Sequence, residues 1–494
     1  MRFKLLLIST LLFIVSTTVL SNIKREVRAA WLTTAYRLDW PQTQIRSKES
    51  LEQQQKELLL LLDRLSEANF NTILFQVRGR GNVTYPSIYE PYNPSLTGKI
   101  NGNPGYDPLA FAIEECHKRG MECHAWLVTI PLGGVSEHKR LGSLSITKKQ
   151  PQLCTQFQSN WYLNPGNPQT KHYLGNLVNE IITHYDVDGV HFDYLRYPEN
   201  APNFPDSKEF KAFAKGENLE QWRRNNITSI LSHIYHSVKA EKPWVKVSTS
   251  PVGKHSDTHR YPSMGWNAFN SVYQDVFKWV DLGIQDQIYP MMYFRENQFY
   301  PFALDWLEQS NGIPIIPGLG IYFLDENIGN WTSEDLQRQI HFIRKHKLAG
   351  HAFFRAEFVV NNTKGVYKTL KREHYTYPAI PQAMKGVDSI PPSTPTQLTY
   401  STTNYSVLLN WTESVDNDTK NQPKYIIYAS PEYPVDTSKP ENIIKINHNN
   451  TQFTYTPVYS WLKQQYFAVT AIDRYGNESE PIQLKPNNGN DSPE

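Results

Sequence analysis

The chain has 494 residues, with 50 Lys and Arg against 48 Asp and Glu, and 13% of its residues are aromatic. The formal net charge of +2 gives no sign of a surface built to hold nucleic acid or an acidic partner. Three cysteines (Cys116, Cys123 and Cys154) lack zinc-site spacing, and an odd number cannot be fully paired within the chain. The twelve Trp and 29 Tyr suit stacking on sugar rings, although most aromatic side chains in a chain of this length fill its core.

Residues 1–21 are typical of a secretory signal peptide. Two basic residues precede an apolar run from Leu5 to about Leu20, and small residues suited to cleavage follow. No Cys occurs before Cys116, which excludes a lipid-modified Cys just after the signal. We therefore expect an exported protein, periplasmic or extracellular, with no lipid anchor and no membrane span once the signal is removed. An uncleaved signal anchor is the alternative.

Between residues 25 and 377, apolar β-rich segments alternate with amphipathic helices. The predicted strands are 27–34, 71–77, 122–130, 187–193, 245–250, 286–293, 314–321 and 350–358. The predicted helices are 49–67, 108–119, 169–184, 219–240, 272–280, 301–308 and 333–347. This alternation favours a (β/α)8 TIM barrel over an open sheet, although Pro290, Pro314 and Pro317 interrupt two of the strands.

A Pro-rich linker, 378–395, leads to a segment of different texture, 396–486. Short strands with polar turns are predicted there at 398–400, 406–411, 424–429, 443–446, 452–455 and 465–473. They indicate a small all-β, immunoglobulin-like sandwich. LLNW, ending at Trp411, and YFAVTAID, beginning at Tyr466, resemble a fibronectin type III domain with Trp411 in its core. Such a module is more often a spacer or weak binder than a catalyst, and the tail, 487–494, is expected to be disordered.

The most informative segment is VDGVHFDYLRYP, residues 187–198. Its apolar residues predict a short buried strand, and because side chains alternate along a strand, His191 and Asp193 face the same side. An acidic residue at the C-terminal end of an apolar strand is costly to bury without a purpose. In a parallel barrel that end carries the chemistry, so Asp193 is the first candidate catalytic residue. Its alternative role is to cap the following loop by accepting backbone N–H groups.

The other predicted strand ends supply arginines, aromatic residues, histidines and a few carboxylates. They are Asp39, Trp40, Arg78, Arg80, Trp126, His255, Asp257, Tyr293, Arg295, Glu296, Tyr322, Arg355 and Glu357. This set fits a neutral or mildly acidic sugar better than a phosphate ester, and the sequence has no Gly-rich phosphate loop, nucleophile elbow or HExxH motif. His255, Asp257 and His259 form the single metal-like cluster, which we interpret as a polar loop, so no metal or cofactor is expected.

Hydrolysis of a glycosidic bond usually needs two carboxyl groups. Glu357 is the preferred partner of Asp193, because it is predicted to share a strand face with Arg355. The arginine would keep the carboxylate ionised, as a base or nucleophile requires. Glu296 and Asp39 stay open as alternatives, and for all three a loop charge or structural ion pair is the simpler explanation.

Four segments resemble the glycosyl hydrolase-like family ten, exported bacterial barrel proteins related to glycosidases. They are VRAAWLTT…LDWP (27–41), FQVRGRG (75–81), YDVDGVHFDYLRYP (185–198) and YPMMYF (289–294). The resemblance covers about residues 25 to 375 and implies a (β/α)8 barrel that acts on glycan chains, in some members peptidoglycan glycan. By position, Asp193 matches the active-site Asp of the family, whereas Asn164 stands where members often have Asp. The residues that match its site-lining positions are Arg78, His191, Arg196 and Tyr197.

These features predict an exported glycoside hydrolase acting on a polysaccharide or peptidoglycan glycan chain, with Asp193 and Glu357 catalytic. The predicted substrate-binding residues are Arg78, Trp126, His191, Arg196, Tyr197, Tyr293, Arg355 and Trp40. The alternative is a non-catalytic glycan-binding protein on a barrel scaffold, motivated by the weaker case for a second carboxylate. A structural adhesin that acts through the C-terminal module is a third reading, which the composition does not favour.

Overall fold

The computed structural model describes residues 23–262, 265–384, 386–402, 406–417, 421–456 and 465–484. The predicted signal peptide and the predicted disordered tail lie outside these residues. The chain divides into two compact units, Val27–Lys368 and a second one that combines Thr369–Glu494 with the described residues before Val27. No helix in the described part of the chain has both the length and the apolar character needed to cross a membrane.

The first unit is built on an eight-stranded parallel sheet. Its strands are β1 (Val27–Leu32), β2 (Thr72–Arg78), β3 (Glu122–Val128), β4 (Gly189–Asp193), β5 (Lys246–Ser250), β6 (Gln287–Ile288), β7 (Gly318–Leu319) and β8 (Gly350–Phe353). They neighbour one another in the order β7-β8-β1-β2-β3-β4-β5-β6. Parallel bridges from Ile288 to Ile315 and from Met291 to Gly318 join the two edges, so the sheet curls round on itself as a barrel does.

Helices occupy most of the connections between these strands. The main ones are α1 (Lys48–Glu67), α2 (Pro108–Lys118), α3 (Gln169–His184), α4 (Leu219–Glu241), α5 (Val276–Asp281), α6 (Tyr300–Glu308), α7 (Ser333–Lys345) and α8 (Ala356–Val360). In α1 the side chains of Leu58, Leu62 and Leu65 recur on one face and are buried, and the Ser47 hydroxyl accepts the Ser50 N–H at the helix start. The connection after β3 instead carries a small antiparallel sheet of three strands, Pro131–Gly134, Cys154–Phe157 and Asn160–Leu163.

The last three barrel strands are shorter than predicted. β6 and β7 have two residues each, because the nearby prolines cannot donate to a ladder of hydrogen bonds. β8 ends at Phe353, after which Arg355 is the N-cap of α8 and Glu357 lies in its first turn. The prediction that Arg355 and Glu357 share a strand face is therefore wrong.

The second unit contains two antiparallel sheets. One has the strands Thr396–Thr402, Val407–Thr412 and Gln452–Tyr455, and the other has Lys424–Ser430, Ile443–His448, Tyr466–Ile472 and Ile482–Gln483. Trp411 of the first sheet packs in one core with Tyr425 and Phe467 of the second, as predicted for a core tryptophan. Ile380, inside the predicted linker, is buried in this unit and forms a parallel bridge with Arg25, so that part of 378–395 is not a free spacer.

Candidate active site

A cavity of about 350 Å³ lies at the C-terminal ends of the barrel strands. The strand register pairs Asp193, the last residue of β4, with Val128 of β3 on one side and Ser250 of β5 on the other. These three residues line the cavity together with Trp31 and Trp126. This end of a parallel barrel carries the functional groups of such enzymes, and the volume is that of a small-ligand site.

Aromatic side chains form much of the cavity wall. They are Trp31, Tyr36, Trp126, Tyr194, Tyr293 and Phe354. Tyr293 stacks on Phe354 with ring centroids 5.5 Å apart, and Trp126 meets the edge of the same ring at 6.5 Å. Gln76, Arg80 and Ser250 add polar groups to this apolar wall. Flat aromatic faces with a few fixed polar groups are suited to sugar rings, which offer both C–H faces and hydroxyls.

Asp193 is the one carboxylate among the described residues that line this cavity. Burial raises the pKa of Asp193 to about 6, although the charge of Arg196, the backbone N–H of Tyr194, and the side chains of Ser250 and Trp126 act in the opposite direction. The indole nitrogen of Trp126 has no partner within hydrogen-bond geometry in the described structure, so its effect on Asp193 is one of proximity. A carboxyl group that titrates near pH 6 can hold a proton close to neutrality, as a general acid must.

The backbone turns sharply directly after Asp193. Tyr194 has φ +52°, in the left-handed region that aromatic residues rarely adopt. Its N–H donates to Asp193 Oδ1 at 2.8 Å, the sole backbone donor to this carboxylate in the described part of the chain. The sharp turn places Tyr194 on the cavity wall beside Asp193, and strain of this kind is common at functional sites.

His191 lies beneath the cavity and supports its floor. The Trp31 indole N–H donates to His191 Nε2 at 3.1 Å, so Nε2 is unprotonated and Nδ1–H donates to Ser248 Oγ at 2.9 Å. Burial lowers the pKa of His191 well below its usual range, which keeps the ring neutral. His191 is fully buried and does not line the cavity, so in this structure it contacts Trp31, and substrate binding by His191 stays a prediction.

Two residues that were predicted to bind substrate, Arg78 and Trp40, are buried outside the cavity wall. Arg78 is fully buried and donates to both Glu90 carboxylate oxygens at 2.6 and 2.8 Å, and to the Thr129 carbonyl at 2.8 Å. Trp40 is also fully buried, with its indole N–H donating to the Gln54 carbonyl at 2.9 Å. Neither residue lines the cavity, so substrate binding by Arg78 and Trp40 stays a prediction that this cavity does not support.

Arg80, two residues after Arg78, is the arginine that lines the cavity. It is exposed, and its guanidinium lies 5.9 Å from the ring of Tyr36. The sequence placed Arg80 at a strand end but gave no reason to prefer it over Arg78. The cavity residues Trp31, Tyr36, Gln76, Tyr194 and Ser250 were missed, and proximity to predicted strand ends was the signal available for them.

Arg355 and Glu357 belong to an ionic network at the start of α8. Arg355 donates to Asp39 Oδ1 at 2.8 Å and to Glu357 Oε2 at 2.5 Å. Asp39 also accepts the backbone N–H groups of Thr33 and Glu357. Burial raises the pKa of Asp39, and Arg355 opposes that rise. None of the three charged side chains lines the cavity, so substrate binding by Arg355 and catalysis by Glu357 both stay predictions.

The structure also places several of the other residues that the sequence singled out. His255 is buried with its ring stacked on Phe277 at 3.7 Å, and burial lowers its pKa to about 3. Over the described ranges, no group of three or more His, Cys, Asp and Glu side chains is placed to hold a metal ion. Asn164 is buried and accepts the Gly166 N–H at 2.9 Å within its own turn. Trp126 and Tyr293 line the cavity, whereas Arg196 and Tyr197 line a second one beside it.

A parallel eight-stranded sheet with a raised-pKa carboxyl group in an aromatic cavity at its C-terminal edge is the arrangement of a glycosidase-like protein. Residues 26–323 match the model of the family described as Glycosyl hydrolase-like 10, and the chain belongs to this family. The resemblance inferred from the four sequence segments is thereby confirmed for the barrel. The resemblance of the second unit to fibronectin type III domains stays a prediction.

Curated relatives carry the same kind of name. Glycosyl hydrolase YngK of Bacillus subtilis (strain 168) is 28% identical over 95% of each chain. Glycosyl hydrolase DigH of Escherichia coli (strain K12) is 32% identical over 57% of this chain and 69% of its own. Among solved structures, the PgaB (BpsB) glycoside hydrolase domain of Bordetella bronchiseptica has 14% identity and a TM-score of 0.49, over 71% of this chain and 99% of that one.

Proposed function

We propose that this protein is an exported glycoside hydrolase that cleaves a polysaccharide or peptidoglycan glycan chain, with Asp193 as its general acid. The observation that carries the proposal is the buried carboxyl group of Asp193, with a pKa of about 6, in an aromatic-walled cavity at the strand ends. Export rests on the sequence of residues 1–21. Action on glycosidic bonds is supported by the family and by the names of the relatives. The polysaccharide or peptidoglycan class rests on the resemblance of the four sequence segments.

In the proposed reaction a sugar unit lies against the aromatic wall, and protonated Asp193 donates its proton to the glycosidic oxygen. The bond between that oxygen and the anomeric carbon breaks, and the leaving sugar departs with the proton as a hydroxyl group. Water then bonds to the anomeric carbon as its new hydroxyl, and the proton that this water loses goes to the predicted base Glu357. Exchange with solvent returns a proton to Asp193. Removal of bulk water from Asp193 favours its protonated form, which is the form this step needs.

The second catalytic group is predicted to be Glu357. It lies in α8 and not on the cavity wall, so this role requires a substrate that reaches beyond the cavity or a shift of the α8 start. Glu357→Gln tests it directly: a loss of turnover of about a hundredfold or more, without loss of stability, supports the role. Retained turnover moves the second function to Asp39, to Glu296 or to the substrate itself, since substrate-assisted hydrolysis is a known alternative in some glycosidase families.

The decisive measurement is release of reducing ends by the protein comprising residues 22–494. The substrates are peptidoglycan glycan strands and common bacterial and plant polysaccharides. Asp193→Asn is the test variant. Asp257→Asn is its matched control, because Asp257 is an exposed carboxylate on the loop after β5 that does not line the cavity. We expect release by the native and control proteins and none by Asp193→Asn. Full activity of Asp193→Asn would exclude Asp193 as the acid.

A non-catalytic glycan-binding protein is the second candidate, favoured by the single carboxylate on the described cavity wall. It predicts that native protein and Asp193→Asn are retained equally on an immobilised glycan and that neither releases reducing ends. Retention of both proteins together with release by the native one alone would reject this candidate.

A further inference from the structure

A second cavity, of about 250 Å³, adjoins the first at the C-terminal side of β4. The two cavities share Arg80, Pro131 and Tyr194 in their walls. The two cavities are therefore neighbours, close enough for successive units of one chain molecule. The wall of the second cavity is more polar, with Tyr162, Arg196 and Glu199 among its lining residues.

Arg196 is a buried cation with unused donors. The residue is 4% exposed, and its Nε and Nη1 atoms have no hydrogen-bond partner in the described part of the structure. The guanidinium faces the rings of Tyr194 at 4.5 Å and Trp266 at 5.1 Å. Its nearest carboxylate is that of Glu199, 3.9 Å from Nη2, and the Glu199 side chain is 74% exposed. Because buried charged donors are normally hydrogen-bonded, an acceptor from outside the chain would complete this site.

Arg80 places a second positive charge at the same cavity. Burial raises the pKa of both Tyr162 and Tyr194, and Arg80 and Arg196 act against that rise at each hydroxyl. Both guanidinium groups are thus close enough to act on the same two side chains. The two positive guanidinium groups and the negative carboxylate of Glu199 together give the cavity a net charge of +1. That charge matches a monovalent carboxylate better than a doubly charged phosphate.

We propose that the second cavity is a subsite for the carboxylate group of an acidic sugar, bound by Arg196 and Arg80. Guanidinium N–H groups bind carboxylate oxygens through charge-assisted hydrogen bonds, and the Nε and Nη1 donors of Arg196 have no partner in the described structure. The assignment rests on the proposed function in that the sugar bound here belongs to the same glycan chain as the one beside Asp193. The shared chemistry has two sources, a hexuronic acid unit or the lactyl acid of a muramic acid unit.

The test measures binding in the Asp193→Asn background, which holds a ligand without turnover. The ligands are oligosaccharides from peptidoglycan glycan strands and from a polyuronide, each compared with its own product after chemical reduction of the carboxyl groups to alcohols. We expect one native oligosaccharide to bind about ten- to a hundredfold more tightly than its reduced form, as loss of a charge-assisted contact implies. The oligosaccharide that shows this difference identifies the source of the carboxylate.

Arg80→Gln is the first variant to add, because Arg80 is exposed and its replacement spares the core. It should weaken binding of the carboxylated ligand about tenfold more than it weakens binding of the reduced ligand. Arg196→Lys keeps the positive charge but loses the planar guanidinium group. It should also weaken binding of the carboxylated ligand more than binding of the reduced ligand. Arg140→Gln is the matched control, an exposed arginine in Val135–Leu141 that lines neither cavity.

Equal binding of native and reduced oligosaccharides of both kinds would overturn the subsite, as would an Arg80→Gln effect that is the same for both forms. Binding of neither kind would also overturn it. Carboxylate-dependent binding without reducing-end release by the native protein would retain the subsite and reject hydrolysis. Release from neutral glycans, with no preference for carboxylates, would retain hydrolysis and reject the subsite.

Discussion

Replacing Asp193 by Asn should stabilise the barrel at neutral pH while it removes activity. Burial raises the pKa of Asp193 from its ordinary 3.8 to about 6, so the charged carboxylate is disfavoured in the folded protein. Between these two values the unfolded chain has lost the proton and the folded chain has kept it. Stability therefore falls as pH rises from about 4 to about 6 and stays lower above that. At about 1.4 kcal/mol for each pH unit, the charged form lowers the free energy of unfolding by about 3 kcal/mol at about pH 7.5.

The amide introduced by Asp193→Asn carries no charge at any of these pH values, so this variant should escape that cost. We expect Asp193→Asn and the native protein to be equally stable near pH 4. The variant should gain up to about 3 kcal/mol by about pH 7.5, less whatever its amide loses in contacts with Ser250 and Tyr194. Urea unfolding followed by tryptophan fluorescence is the assay, because ten of the twelve tryptophans precede residue 369 and report on the barrel unit.

The pH dependence of the stability difference between Asp193→Asn and the native protein tests this reasoning. A stability difference between Asp193→Asn and the native protein that is constant from about pH 4 to about pH 8 would refute the raised pKa of Asp193. A variant less stable than the native protein at about pH 7.5 would refute the dominance of burial over the favourable contacts. Asp257→Asn, at an exposed position outside the cavity, is the control for the loss of a carboxyl group as such.

Two further predictions concern the contacts of Asp193, and a third concerns the buried pair of Arg78 and Glu90. The rate of hydrolysis should fall about tenfold per pH unit above about pH 6, since Asp193 then loses the proton it must donate; a flat profile to about pH 9 would remove it as the acid. Ser250→Ala removes a contact that favours the charged carboxylate of Asp193, so the fall in hydrolysis rate should begin at a higher pH. An unchanged pH–rate profile would show that Ser250 does not act on Asp193. Arg78→Met should cost about 3–5 kcal/mol of stability by leaving Glu90 buried without its partner. An unchanged urea midpoint would contradict this structural role for Arg78.

The order of strands and helices follows from the sequence because hydrophobic periodicity is a local property. The predicted and observed bounds of the helix at 169–184 coincide, and the first five strands differ by a few residues at their ends. The strands near Pro290 and Pro314 are the least well predicted, since a missing N–H shortens a ladder by an amount that depends on its neighbours. The two sheets of the second unit were likewise visible as alternating segments.

The position of Asp193 at the end of a buried strand can be predicted from residues 187–193 alone, because side-chain alternation and an apolar run are local properties. Which of the other strand-end residues reach the cavity depends on contacts that form when the chain folds. Arg78 and Arg80 have the same strand parity, yet Arg78 turns to Glu90, twelve residues away on a loop, and Arg80 lines the cavity. A buried charged side chain is stable only beside a partner of opposite charge, and the conformation of the loop determines which partner is within reach.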